Sequence, residues 1–357
     1  MAGAMTDQIA PASVAAKGLG LIAVVVCAAS PARHIAGLIG RCQKLGWQVR
    51  VYATTDAALW LDPDEVERLT GRAPRVALAD LPAAAEVPAR MVLVAPATFH
   101  TLNQIACGGN DSLALQVIQE AIGAAIPVVA VPHVNSRLAS HPLYAHSLRT
   151  LRRFGVTAVT SGAVCDGGCP PSVHWPAVQK VLQRFRPQRH PDVVIRLETG
   201  SDVTATADAH VSSWQAGYAG LVPTGVLSQM DVSTQAVKRA KAFADPADAV
   251  TFVAVLDGQI AGHVTVRPYP ADPVCGQVWA CYTRPQAWGT GIAADLLQRG
   301  LLLLEQPEVI LWVLEANERA IAFYTRHGFT PDGHRDMHTF TGTEVQMSII
   351  RMSMHRQ

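Results

Sequence analysis

The segment Trp288-Gly-Thr-Gly-Ile-Ala293 is the stretch whose residue types and spacing most directly suggest chemistry. It follows an apolar strand-like run and opens a helix-like one. Glycines there let backbone N–H groups approach an anionic pyrophosphate at the positive end of a helix. The plain alternative is that Gly289 and Gly291 only make a tight strand-to-helix turn. Cys165 and Cys169 are spaced C-x-x-x-C in a Gly-rich loop, but no second ligand pair accompanies them, so no metal site is expected.

The elements that must position these residues follow from the apolar pattern. The chain has 357 residues, beyond the ~250–300 at which a single core stops growing, so two domains are expected. From Gly18 onward, GLIAVVVCAAS, ARHIAGLIGRCQKLG and WQVRVYATT read as strand, helix and strand. RMVLVA from Arg90 and IPVVAV from Ile126 continue the rhythm, which implies a mostly parallel sheet with ligands outside the carboxyl ends of its strands. An amphipathic helix at residues 178–186 closes this half, and PQRHPD, with its prolines and charge, reads as a linker.

The second half opens with the strand-like VVIRLE. Two helical stretches follow, near 207–219 and 234–243, and then a hairpin TFVAVLDGQIAGHVTVRPY turning at Asp257-Gly258. QVWACYT, a helix from about Ile292, the strand VILWVLE, another helix and a terminal hairpin complete it. The expected boundaries are a disordered tail over 1–16, a first domain over 17–188, a linker over 189–193 and a second domain over 194–357.

Composition excludes some functions. A net charge of +1 with 16% charged residues leaves no electrostatic footprint for nucleic acid or an anionic membrane. The run Leu19 to Ala29 is far shorter than the ~20 residues that span a bilayer, and the Ala-rich start lacks a basic signal region, so a cytoplasmic protein is expected. Seven cysteines without a disulfide framework suggest free thiols. Small-molecule or peptide chemistry is favoured.

Residues 194–357 resemble the GNAT N-acetyltransferases on three separated stretches in the family's order: HVSSWQAGYAGLVPTGVL at 210–227, WGTGIA at 288–293 and LWVLEANERAIAFYTRHGF at 311–329. The resemblance implies an α/β fold with a mixed sheet and acetyl-coenzyme A as cosubstrate. Trp288, Gly289, Thr290, Gly291, Ile292 and Ala293 would hold the pyrophosphate, and Asn317 would contact the pantetheine arm. The backbone amide of Thr283 or its neighbours would polarise the acetyl carbonyl, and Tyr324 would protonate the departing thiolate. Tyr324 could instead be a packed aromatic. Where many members carry a basic Glu, this chain has Gln277, and an amide is no base. His263, Glu315 and His210 are the substitutes to weigh.

Residues 18–185 resemble the flavin-containing cysteine decarboxylases, most clearly over VLVAPATFHTLNQIACGGNDSLALQVI at 92–118 and PVVAVPHVN at 127–135. This implies a flavodoxin-like or Rossmann-type parallel sheet flanked by helices, binding FMN. Ser30 and Thr55 would hold the phosphate, with Thr98, Asp111 and Ser112 lining the flavin and Cys165-Asp-Gly-Gly168 resembling the substrate loop. Each hydroxyl could equally be a helix cap. The family's catalytic His, some fourteen residues before Pro96, has no counterpart in residues 74–90. In Pro132-His-Val-Asn135 a Val replaces the usual Met, while Asn135 remains as a substrate contact. His100 and His133 are candidates for a relocated catalytic group, and a site that has lost its chemistry is the alternative. The family's members assemble through this fold, so a homo-oligomer is expected.

The leading expectation is therefore acyl transfer to a small-molecule or peptide amine, with the first half binding FMN or positioning substrate. A bifunctional enzyme that also oxidises or decarboxylates a cysteine-containing peptide or thiol is one alternative, and a first half serving only as an oligomerisation scaffold is the other.

Overall fold

The computed structural model describes residues 18–80, 88–165, 175–185, 188, 192–244, 248–340 and 342–356. The expected N-terminal tail, residues 166–169 of the Gly-rich loop and most of the linker lie outside them.

Five strands form the first sheet: β1 (Gly20–Val26), β2 (Trp47–Ala53), β3 (Met91–Ala97), β4 (Val128–Pro132) and β5 (Val156–Ala158). Their order is β2-β1-β3-β4-β5, and every pairing is parallel. Strands buried on both faces read as unbroken apolar runs, and the period of two sorts β1 cleanly. Ile22, Val24 and Val26 pack on one side with Ile39 and Leu182, from the helices Ile35–Lys44 and Trp175–Arg184. Ala23, Val25 and Cys27 pack on the other with Leu102, Ile118 and Leu151, from the helices Phe99–Ala106, Leu113–Gly123 and Pro142–Arg153. The chain runs outward in opposite directions from β1 and β3, which makes their carboxyl ends the topological switch point.

The second sheet contains β6 (Val194–Leu197), β7 (Val250–Leu256), β8 (Gln259–Tyr269), β9 (Asp272–Thr283), β10 (Glu308–Leu314), β11 (Thr330–Thr339) and β12 (Gln346–His355), in the order β11-β12-β10-β9-β8-β7-β6. Only β9 and β10 pair in parallel. The β7–β8 hairpin turns at Asp257 and Gly258, with φ of 51° and 75°, as a two-residue turn with both central residues left-handed requires. The helices Val203–Gly217 and Val232–Ala244 lie on one face. The helices Ile292–Leu303 and Glu318–Arg326 lie on the other, where Leu296 and Leu297 pack on Phe252, Val264 and Val278.

The two halves share the helix Ile292–Leu303. Its Leu302 is part of the first core, and the Thr157 hydroxyl on β5 donates to the Leu302 carbonyl at 3.0 Å. Thr160 donates to Glu305 at 2.8 Å and Gln298 to the Arg184 carbonyl at 2.9 Å. The helix thereby covers β5, which would otherwise be an open sheet edge.

The cysteines require one correction. Cys27, Cys42, Cys107, Cys275 and Cys281 are free, but Cys165 is disulfide-bonded. Seven thiols leave an odd one over whatever pairs form, so an odd count does not argue against a single bond.

Candidate active site

Strand β9 positions the first part of the site. It pairs with β10 only at Cys275, Gly276 and Gln277, opposite Glu308, Val309 and Ile310. Beyond that point β9 stays on β8 as far as Thr283, while β10 stays on β12 as far as Leu314, so a wedge opens between them. The Arg284 N–H donates to the Ala261 carbonyl at 2.8 Å. Strand alternation then sends the Tyr282 N–H toward β8 and those of Cys281 and Thr283 into the wedge. On the same edge, the Thr283 carbonyl accepts the Trp288 indole N–H at 2.9 Å.

The chain then turns through Pro285–Ala287 into the glycine loop. Gly289 and Gly291 have φ of 78° and 98°, a region in which L side chains are strained. Neither amide donates to a backbone acceptor among the described residues. The Thr290 hydroxyl donates to the Ala287 carbonyl at 2.7 Å and accepts from Ile292 N–H at 3.4 Å, which fixes the turn. Ile292 and Ala293 open the helix, where the first amides have no intrahelical partner. Within the loop the Trp288 and Thr290 amides donate to Pro285 and Ala287 carbonyls, which leaves the Gly289, Gly291 and Ala293 amides as free donors among the described residues at a positive helix end. Arg319 lies 3.6 Å from the Trp288 ring centroid and adds a cation beside it.

Tyr324 is buried on the helix Glu318–Arg326, edge-on to Phe329. Burial raises its pKa well above the ordinary tyrosine value, so the phenol keeps its proton at neutral pH. Asn317 caps that helix, its side-chain oxygen accepting from Ala320 N–H at 3.1 Å. On the opposite face of the sheet, the Trp214 indole donates to the Tyr282 hydroxyl at 3.1 Å. Tyr218 and Phe340 pack against Trp214, beside Val222, Leu227 and Leu314. The wedge thus has an aromatic wall.

Gln277 is buried and accepts from Arg267 at 2.9 Å, a structural use of its amide. Hydrogen bonds from Arg335, at 2.8 Å, and from Ser348, at 2.7 Å, hold the Glu315 carboxyl below its ordinary range. His263 is fully buried, with no partner for either ring nitrogen among the described residues, and is edge-on to His210 at 5.4 Å. Burial pushes the His210 pKa down to about 4, so it is neutral at neutral pH.

At the carboxyl ends of the first sheet, hydroxyls cap helices. Thr98 accepts from Thr101 N–H at 3.2 Å and Ser112 from Leu115 N–H at 3.4 Å. In the loop after β2, Thr54 is the cap, accepting from Ala57 N–H at 3.3 Å, and Thr55 is the exposed first residue of a four-residue helix. A capping hydroxyl accepts through oxygen, so the Ser112 proton remains to donate, whereas the Thr98 hydroxyl also bonds the Thr101 hydroxyl at 2.9 Å. The Ser30 hydroxyl and His133 Nε2 are 3.2 Å apart, joining the loops after β1 and β4. Burial lowers the His133 pKa. Asn135 caps a short helix through Leu138 N–H at 2.9 Å.

Comparison with known families decides the assignment. Residues 14–186 match the family described as Flavoprotein, and residues 224–329 match the Acetyltransferase (GNAT) family. The chain joins a flavoprotein domain to a GNAT domain. Over 71 residues it is 35% identical to the coenzyme A biosynthesis bifunctional protein CoaBC of Thermococcus kodakarensis, a match spanning 20% of this chain and 17% of that protein. Among solved structures, the FMN-dependent cysteine decarboxylase SpaF aligns at 23% identity over 47% of this chain and 97% of its own, with a TM-score of 0.40. The PaiA N-acetyltransferase of Thermoplasma acidophilum, solved with coenzyme A, aligns at 17% identity over 46% and 98%, with a TM-score of 0.35.

In the GNAT domain the structure brings together Thr283, the loop from Trp288 to Ala293, Asn317 and Tyr324. In the flavoprotein domain Ser30, Thr55, Thr98, His133 and Asn135 share the rim of the strand ends, while Ser112 caps the second helix after β3. Asp111 precedes the Ser112 cap and is exposed, and His100 is exposed on the second position of its helix. Tyr282 and Arg319 are additions that residue reading did not single out. Tyr282 occupies the strand beside Thr283, and Arg319 follows Asn317 by two residues, so their places were visible but their partners were not.

Proposed function

We propose that the GNAT domain transfers an acyl group, with acetyl as the simplest case, from acyl-coenzyme A to an amine. The observation that carries this reading is the β9–β10 wedge, whose free amides open beside the glycine loop. The loop amides and Arg319 would bind the pyrophosphate. The N–H groups of Cys281 and Thr283 would donate to the acyl carbonyl oxygen as negative charge grows on it. The amine nitrogen forms the new C–N bond, the C–S bond breaks, and the Tyr324 hydroxyl gives its proton to the leaving sulfur. Gln277 and Glu315 are both committed elsewhere, so the acceptor enters as a neutral amine and loses its proton to solvent. The wall of Trp214, Tyr218 and Phe340 suits an acceptor with an apolar or aromatic body. Thiol release from acetyl-coenzyme A over a panel of aromatic, aliphatic and peptide amines tests the proposal. Turnover confined to charged aliphatic amines would contradict the acceptor class.

A flavoprotein domain that binds FMN is supported by the loops after β1, β2 and β3, which carry the hydroxyls of Ser30, Thr55 and Thr98 at the carboxyl ends of the sheet. Ser30, Thr55, Thr98 and Ser112 would hold the group and the neutral His133 would face its edge. When bound, FMN would supply two-electron oxidation of a thiol-bearing substrate. The shared helix Ile292–Leu303 favours a second reading in which both domains act in turn on one cysteine-containing substrate. An absorbance spectrum from 300 to 550 nm separates the cases, because a colourless protein reduces this domain to a substrate holder or an oligomerisation scaffold. Assembly into a homo-oligomer, checked by light scattering, and a cytoplasmic location belong to the same proposal. No described helix is long and apolar enough to cross a membrane.

A further inference from the structure

A cavity of about 320 Å³ lies where the two domains meet, away from both crevices. Ile126 and Pro127, just before β4, line it together with Phe185, Leu302 and Arg299. Arg299 projects from the shared helix. Its Nε is shielded from solvent and has no hydrogen-bond partner among the described residues. Its guanidinium carbon sits 4.9 Å from the centroid of the Phe252 ring, and no carboxylate acts on it among the described residues. Burial alone pulls its pKa down to about 10.

A buried cation without a counter-ion is costly, and native structures keep such groups only when something satisfies them. Phe252 answers the face of the guanidinium but not its in-plane N–H donors. Those donors match a carboxylate, which they can bind in a fork. The rest of the lining combines apolar residues with the polar side chains of Arg90, Gln188 and Gln298. Asp295, one turn earlier on the helix, also lines the cavity, and the single guanidinium offers one fork for one carboxylate.

We propose that this junction is a binding site for a small monocarboxylate with an apolar body, its carboxylate on Arg299 and its body against Ile126, Pro127, Phe185 and Leu302. Because the walls come from both domains, the ligand holds them together and stabilises the folded chain. The site is independent of the acyl-transfer reading.

The test is calorimetric titration and thermal melting of the full chain with phenylacetate and isovalerate, with phenylacetamide as the uncharged control. The wild type should bind the acids and not the amide. R299M should weaken acid binding about tenfold to a hundredfold, the loss expected for a charge-assisted hydrogen bond, while coenzyme A affinity is unchanged. Without ligand, R299M should melt no lower than wild type, since it removes an unpaired buried charge. R299K, which keeps the charge but not the planar fork, should also bind the acids more weakly and covers the case in which R299M does not fold. Failure of both acids to bind, equal binding of the amide, or undiminished binding in the variants would overturn the proposal.

Discussion

The two crevices of this chain are built from different material. In the GNAT domain the donors are backbone amides, exposed because two strands part and two glycines adopt left-handed geometry. In the flavoprotein domain they are side-chain hydroxyls that also cap helices. Backbone donors depend on a fold and on a few glycines. Hydroxyl donors recur wherever a helix begins, and for that reason are weaker evidence of a ligand. Substitutions should therefore separate binding from stability in the first domain less cleanly than in the second.

The largest expected effect lies in the glycine loop. G291V places a β-branched residue at φ 98°, with strain of about 1–3 kcal/mol, and disturbs the row of amides, so coenzyme A affinity should fall by at least about a hundredfold. Titration calorimetry reads this, and retained affinity would mean that the loop is only a turn. Next, Y324F should lower kcat by about tenfold to a hundredfold, the range for a lost general acid, with coenzyme A affinity unchanged. Loss of binding in both variants would remove the distinction between their roles.

The pH dependence of stability is a smaller effect. The pKa of His210 is about 4 when folded, below its ordinary 6.5, and that of His263 is lower than ordinary as well. As pH falls below 6.5 the unfolded chain takes up protons that the native state refuses, so this stability is complete above 6.5 and is lost on the way to 4. The melting temperature should drop between pH 7.5 and pH 5. H263L, which removes one titrating group from a site where it has no partner among the described residues, should flatten that drop. The smallest effect is expected from S112A in the flavoprotein domain. Loss of the cap should cost about 1 kcal/mol in chemical denaturation, and any flavin affinity should fall with it.

The fold could be read closely because its signals are local. The Asp257-Gly258 turn, the unbroken apolar runs of the parallel strands and the glycine loop before Ile292 each depend on residues adjacent in sequence. The strand β5, only three residues long, and the helix Pro142–Arg153 carried weaker signals and were not anticipated. The candidate site divides along the same line. The loop from Trp288 to Ala293 and the helix carrying Asn317 and Tyr324 could be placed from sequence. The hydrogen bond between Ser30 and His133 spans 103 residues and that between Trp214 and Tyr282 spans 68, so only the folded chain shows them. Thr55 illustrates the limit: the family resemblance suggested it for the phosphate, while its neighbour Thr54 makes the cap. The use of one helix by both domains was not legible, because nothing in an amphipathic pattern says which two surfaces it will meet.

The central claim is that the β9–β10 wedge and the glycine loop form an acyl-coenzyme A site. Titration of the purified chain with acetyl-coenzyme A tests it most directly. The account predicts saturable binding, at one site per chain, that survives in Y324F and is lost in G291V. No binding by the wild-type chain would contradict it.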